Sequence, residues 1–326
     1  MIVGPNGVGK TNLLEAVHLG AQGFSPRTRS DAEVVRLGAE AGRIVLKGER
    51  AGVPLELEVT LQLRAAKKAK LNGAPLRAAE QLRSEVAALV FTPDRLAIVK
   101  GGPVVRRAYF DRVLGRLAPA RAPLPVEYAA AVGQRNAALR RVFAGLSSRD
   151  ALAPWTERVA LLGAELVEAR METVARLGPG FARQAGVLGV EEARLEYQGD
   201  PPAVEALEAR VDRDLERGAT GLGPHLDDIA ITSGARDLRR FGSQGEQRIA
   251  VLALLLAEAE LLADRANPPL LLLDDVLSEL DEARRRTLSE RIREVGQSLV
   301  TATAAEALPA GADQLVEVSL GLARAV

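Results

Sequence analysis

Cysteine is absent from this 326-residue chain, which excludes a disulfide framework, a thiolate metal site and a thiol nucleophile. Two histidines are too few to expect a zinc centre. No stretch approaches the roughly 18 uninterrupted apolar residues of a membrane span, and the N-terminus has no basic region leading into an apolar one. A cytoplasmic protein with no membrane partner is therefore expected. Charge of one sign is lacking too: Lys+Arg and Asp+Glu both total 43, so no global field draws the chain to nucleic acid. Any basic surface must be local. Arg135 with Arg140 and Arg141, or Arg284, Arg285 and Arg286, are candidates for it, against the plainer reading of solvated helix faces.

What is present is a globular composition, 47% hydrophobic and 26% charged, long enough for roughly two domains. Residues 1 to 20 read as a strand end, a glycine loop and a helix from Thr11 to about Leu19. From Gly42 to Leu63 apolar residues alternate with polar ones, the period of half-buried strands in antiparallel hairpins. Lys67, Lys68 and Lys70 lead into Asn72-Gly73, a hairpin-turn signal. Val86 to Phe91 reads as a short strand ending at Thr92-Pro93. From about Arg106 to Gly218 the text is mostly helical, with segments such as Pro154 to Leu177 broken by Pro and Gly. Strand text returns at Ile229 to Thr232, followed by a helix over Gln247 to Leu262 and strands at Leu270 to Leu273 and Leu299 to Thr303.

Gly4-Pro5-Asn6-Gly7-Val8-Gly9-Lys10-Thr11 fits the phosphate-binding loop pattern Gly-x4-Gly-Lys-Thr, and a helix follows at once. Glycines let backbone N–H groups point at phosphate oxygens, and the helix N-terminus adds partial positive charge. Gly4, Asn6, Gly7 and Gly9 thus frame an ATP site, Lys10 supplies a point charge to the β- and γ-phosphates, and Thr11 offers a hydroxyl to Mg²⁺. The leucine run ending in Asp274-Asp275 supplies the second half of such a site. Asp274 is placed to hold Mg²⁺ through water and Asp275 to orient or deprotonate the attacking water. A buried strand with an acidic turn is the alternative, and the glycine loop weighs heavily against it.

Gly242-Ser243-Gln244-Gly245-Glu246-Gln247, opening a helix, resembles the signature motif of the ABC ATPase superfamily. The resemblance implies that Ser243 and Gly245 contact the γ-phosphate held by a second copy of the chain. Ser278-Glu279-Leu280-Asp281 stands at the spacing of that superfamily's D-loop, so Asp281 is expected to reach the dimer interface as well as cap a helix.

Between these motifs lie Phe91-Thr92-Pro93-Asp94, Gly102-Pro103 with Arg106-Arg107 and Phe110-Asp111, Gln134 to Leu139, Gly223-Pro224-His225 with Asp227-Asp228, and Val300-Thr301-Ala302-Thr303. In this order and spacing they resemble the RecF family of recombination mediators over nearly the whole chain. The resemblance implies an α/β fold, an SMC-like ATPase head with an inserted helical lobe in place of a long coiled coil. The head is expected over 1–105 and 219–326 and the lobe over 106–218. It also implies that ATP closes a homodimer on double-stranded DNA, with preference for single-strand/double-strand junctions. Weak DNA-dependent hydrolysis then releases the DNA, and RecR and RecO help load RecA at gaps.

An ATP-binding subunit of a transporter is the alternative, and a scaffold without turnover is a third reading. Asp94 and Thr301 or Thr303 occupy the places of the glutamine and the switch histidine of transporter-type members, which assigns Asp94 to the Mg²⁺ or lytic water and Thr301 to the nucleotide. His225 has no assigned role, and Arg106 and Arg107 fit DNA phosphate contacts and salt bridging equally. Family members carry a strand or two and an Arg-Asn element ahead of the loop, on the adenine side. Only three residues precede Gly4 here, so the chain is expected to lack that region and to bind ATP more weakly than a relative that has it.

Overall fold

Ile2–Val3 (β1) runs into the glycine loop, and Lys10–Gln22 (α1) leaves it. Ala41–Arg50 (β2), Val53–Gln62 (β3), Ala65–Leu71 (β4), Ala74–Pro75 (β5) and Ala88–Phe91 (β6) follow. The middle of the chain holds Ala97–Lys100 (α2), Pro103–Leu117 (α3), Leu124–Phe143 (α4), Ala153–Val187 (α5), Ala193–Gln198 (β7), Val204–Glu208 (α6) and Val211–Arg217 (α7). Asp228–Ser233 (β8), Arg236–Asp237 (β9), Leu238–Phe241 (α8) and Gln244–Ala263 (α9) come next. Leu270–Leu273 (β10), Glu282–Val295 (α10), Ser298–Ala302 (β11), Val316–Ser319 (β12) and Leu322–Ala325 (β13) complete the chain. This computed structural model describes residues 1–28, 30–50, 52–264, 268–307 and 311–326. By internal packing the chain divides into two units, Met1–Arg95 with Leu255–Val326, and Leu96–Leu254.

The first unit is built on a six-stranded sheet of order β13-β12-β1-β11-β10-β6, parallel except for β13, which pairs antiparallel with β12. A parallel strand covered on both faces reads as an unbroken apolar run, and Leu271, Leu272 and Leu273 of β10 are all 0% exposed. A second sheet, β2-β3-β4-β5, is antiparallel as its alternation predicts, with Ala41 opposite Gln62 at one end and Arg50 opposite Val53 at the other. Helix α1 lies between the two sheets. Leu14 packs into a cluster with Ile2, Leu272 and Val318, while Leu19 joins Leu57, Val59, Leu61 and Leu82. The helix runs to Gln22, beyond the expected Leu19, and ends at Gly23 in the left-handed conformation, a common helix stop.

In the second unit α4 and α5 share a core of Leu124, Tyr128, Val132, Val159, Leu162 and Leu166. Helix α5 does not stop at Leu177: it continues through Pro179 to Val187. Proline inside a helix costs about 3 kcal/mol, but Leu177, Phe181 and Ala185 are each 0% exposed, so apolar burial on both sides of the proline carries the helix past it. Strand β7 was not visible in the helical text. It pairs antiparallel with β8, Leu195 opposite Ile231, which joins the strand text after Gly218 to β7 within the second unit.

The basic-surface candidates divide. Arg135 is 0% exposed and forms a buried pair with Asp214 at 2.7 Å, so it belongs to the core and is withdrawn from any basic surface. Arg140 and Arg141 are exposed. Arg284 and Arg286 pair with Asp281 and Glu282 one turn back, the solvated-face reading.

Candidate functional site

The loop between β1 and α1 sits over the carboxyl ends of the parallel strands, where open α/β sheets bind ligands. Gly4 passes so close to the backbone that a Cβ there would lie 2.4 Å from the Val318 carbonyl oxygen. Gly9, immediately before α1, takes φ 108°, a conformation reserved in practice for glycine. Helix α1 has no side-chain cap, so its first-turn N–H groups are left to a ligand or water. The Lys10 ammonium folds back over the loop and donates to the Gly4 and Pro5 carbonyls at 2.7 and 2.9 Å.

Facing the loop, the Asp274 carboxylate, 6% exposed, accepts two hydroxyl protons. Thr11 donates to Oδ2 at 2.8 Å across 263 residues of sequence, and Thr301 donates to Oδ1 at 2.8 Å. The Asp275 N–H donates to the Thr301 hydroxyl at 2.9 Å. A cavity of about 430 Å³ opens between the two halves. Asn6, Gly7, Gly9, Lys10 and Thr11 line one side, and Asp274, Asp275, Thr301 and Pro93 line the other.

The donor set fits a magnesium nucleotide. With its proton held by Asp274, the Thr11 hydroxyl presents a lone pair, and a hard cation that keeps much of its water shell needs little more than one hydroxyl and one carboxylate from protein. Among the described residues no cluster of three or more His, Cys, Asp or Glu offers a rival metal cage.

Other sequence-predicted residues stand apart from this cavity. Asp94 is exposed in the turn Pro93–Leu96, one residue beyond Pro93, and does not line it. Ser243 and Gly245 open α9 in the second unit. The Ser243 hydroxyl accepts the Glu246 N–H at 3.2 Å while the Glu246 carboxylate accepts the Ser243 N–H at 2.8 Å, a capping box. That N–H, with Arg236 beside it, holds the Glu246 carboxyl below its usual range. Asp281 caps α10 by accepting the Arg284 N–H at 2.9 Å.

Sequence reasoning missed Asn12 and Arg27, both of which line the cavity. Arg27 comes from the loop after α1, donates to Glu15 at 3.1 Å and is 43% exposed. The available signal was Glu15, a carboxylate on an otherwise buried helix face that calls for a donor, and Ser25 also donates to it.

Arg106, 3% exposed, forms a bidentate pair with Asp228 at 2.7 and 2.6 Å, and Arg107 donates to the Asp227 carbonyl at 2.6 Å. For Arg106 the salt-bridging reading holds. His225 is structural: its Nε2–H donates to the Thr220 carbonyl at 3.0 Å and its Nδ1 accepts the Tyr128 hydroxyl at 2.8 Å.

A family model described as RecF/RecN/SMC N terminal domain matches residues 1–323. The DNA replication and repair protein RecF of Synechococcus sp. (strain JA-3-3Ab) is 39% identical over 321 residues, covering 93% of this chain and 84% of that protein. The protein of the same name from Symbiobacterium thermophilum is 38% identical over 325 residues, covering 94% and 86%. Among solved structures, that of the recombination mediator protein RecF-ATP in the RecFOR pathway superposes with a TM-score of 0.85 at 27% identity, covering all of this chain and 90% of that one. An Smc head domain from Pyrococcus furiosus superposes at 0.58 with 16% identity, covering all of this chain and 88% of that one, and shares the fold. These relatives do not favour the transporter reading, and among the described residues no helix is long and apolar enough to cross a membrane. The chain belongs to the RecF/RecN/SMC family and, within it, to RecF.

Proposed function

We propose that this chain works in the cytoplasm in recombinational repair and replication-gap processing, as an ATP-dependent DNA-binding protein of the RecFOR pathway. ATP drives two copies together on double-stranded DNA at single-strand/double-strand junctions, and slow, DNA-dependent hydrolysis releases it. RecR, with RecO, is the protein partner in loading RecA. The observation that carries the ATPase part is the bridge from Thr11 to Asp274 beneath the glycine loop, which joins the two halves of a phosphate and metal site from opposite ends of the chain.

In this reading Gly4, Asn6, Gly7 and Gly9 wrap the triphosphate with backbone N–H groups, and Lys10 swings from its loop carbonyls to the β- and γ-phosphates. Magnesium, when bound, neutralises phosphate charge; Thr11 and Asp274 are the residues that would hold it. Asp275 orients the attacking water, and Asp94 supports it from the turn after Pro93. Ser243, exposed at the start of α9, and Gly245 meet the γ-phosphate of a second copy, with Asp281 at the same interface. Segments 1–105 and 219–326 act as the head and 106–218 as the lobe that replaces a coiled-coil arm.

The test is a pair of variants. Lys10→Met abolishes ATP binding, measured with a fluorescent analogue, whereas Ser243→Arg retains binding and loses ATP-dependent dimers on a sizing column. Dimers of Ser243→Arg as stable as those of the unaltered chain would sink the trans assignment. Because the chain is neutral overall, its DNA affinity arises from local arginines and falls steeply with salt. An affinity unchanged from low to high salt contradicts that.

A further inference from the structure

Thr301 stands on β11 beside the end of β10, one residue past the Leu273–Val300 pair, and is 1% exposed. A threonine hydroxyl has one proton to give and two lone pairs. Here the proton goes to Asp274 Oδ1, and a lone pair accepts the Asp275 N–H. The phosphate oxygens of a nucleotide are acceptors, so contact with them would require the proton that Asp274 already holds. The Asp275 N–H, in turn, lies past the end of β10 and donates to this hydroxyl. Asp275 is one of three non-glycine residues with positive φ among those described, at 49°, a conformation aspartate tolerates but does not prefer. A β-branched side chain has few χ1 choices, so the hydroxyl is held where both acids need it.

We infer that Thr301 is a positioning residue for ATP hydrolysis: through one hydroxyl it orients the Asp274 carboxylate and fixes the backbone that aims Asp275, without itself touching the triphosphate. This replaces the direct nucleotide contact that its place in the sequence implied, and it rests on the ATPase reading above.

The experiment compares the unaltered chain with Thr301→Val, which keeps the shape and removes the hydroxyl, and Thr301→Ser, which restores it. Thr301→Val is expected to lower kcat for phosphate release by about 10- to 100-fold, the range for residues that orient metal ligands, with ATP affinity within about threefold of the unaltered chain. Thr301→Ser is expected to return kcat to within about threefold. Thr301→Ala carries the same test should Thr301→Val not fold.

Turnover by Thr301→Val equal to that of the unaltered chain overturns the inference, as does an equal loss of ATP affinity and turnover, or failure of Thr301→Ser to restore kcat. If neither hydroxyl-free variant folds while Thr301→Ser does, the hydroxyl serves stability and the inference also falls. No phosphate release from the unaltered chain overturns the ATPase reading itself, a result distinct from all of these.

Discussion

Asp274 and Asp214 are both buried carboxylates that draw side chains from distant parts of the chain, yet one belongs to an open arrangement and the other to a closed one. Around Asp214 both carboxylate oxygens are met by protein. Arg135 gives it a guanidinium proton at 2.7 Å, Gly221 gives a backbone N–H at 3.1 Å, and Arg135 gives three further protons to Thr156, Thr220 and the Leu207 carbonyl. Around Asp274 the hydroxyl protons point inward and the Thr11 lone pairs point into the cavity. Burial and residue type are alike in the two places. What separates a binding site from a structural knot is the unfilled valence facing space.

The sharpest way to break this comparison is at the open site. Asp275→Asn is expected to lower kcat by about 10²- to 10⁴-fold, the range for loss of a positioned base, while ATP still binds; phosphate release under single turnover measures it. At the closed site, Arg135→Leu strands a buried carboxylate and is expected to cost about 3–5 kcal/mol of stability, read from denaturant unfolding followed by probes in Leu96–Leu254. Arg135→Met combined with Asp214→Leu removes both charges and should recover most of that loss. If the double variant is as unstable as the single one, the pair is contributing more than mutual neutralisation. Asp94→Asn, at an exposed carboxylate beyond the cavity wall, is expected to lower kcat by less than about tenfold.

The smallest effect lies at His225. Burial, the dominant cause, with Arg107 nearby, pushes its pKa below the ordinary value, against the opposing pull of the Thr220 carbonyl and, less, of Asp227 and Asp214. The unfolded chain therefore takes up a proton more readily than the native one, so stability is intact above about pH 6.5 and declines as pH falls from there towards the native pKa. Unfolding midpoints of the unaltered chain and His225→Gln, compared across that window, should differ in slope, with the variant flatter.

The two regions also differ in how far they can be read from sequence. The glycine loop, the Asp274-Asp275 strand end and the Asn72-Gly73 turn are short motifs in which neighbours along the chain dictate geometry, and they appear where expected. Arg135 was legible only as a charge on a helix, because its partner Asp214 lies 79 residues away. The passage of α5 through Pro179 depends on burial of Phe181, which local propensity cannot show. Strand β7 exists because β8 pairs with it. Arg27 carries no motif, and Thr301 was legible as a strand threonine near the nucleotide but not as the hydroxyl joining Asp274 to Asp275, which is a relation between adjacent strands.

The enclosure of α1 between two sheets has a consequence for how this protein responds in time. At Gly20 a methyl group would meet the Leu46 side chain at 2.8 Å and the Ile44 side chain at 2.9 Å, so the helix packs closely against β2. Beyond its first turn, whose N–H groups are left to ligand or water, its amides exchange with solvent only when the surrounding unit opens. Hydrogen-exchange labelling should therefore find α1 among the slowest segments of the chain with or without nucleotide. Any protection gained on binding would register instead in the glycine loop, in the uncapped first turn of α1 and in the segment carrying Arg27, which makes the rest of the helix the internal clock against which the faster parts are timed.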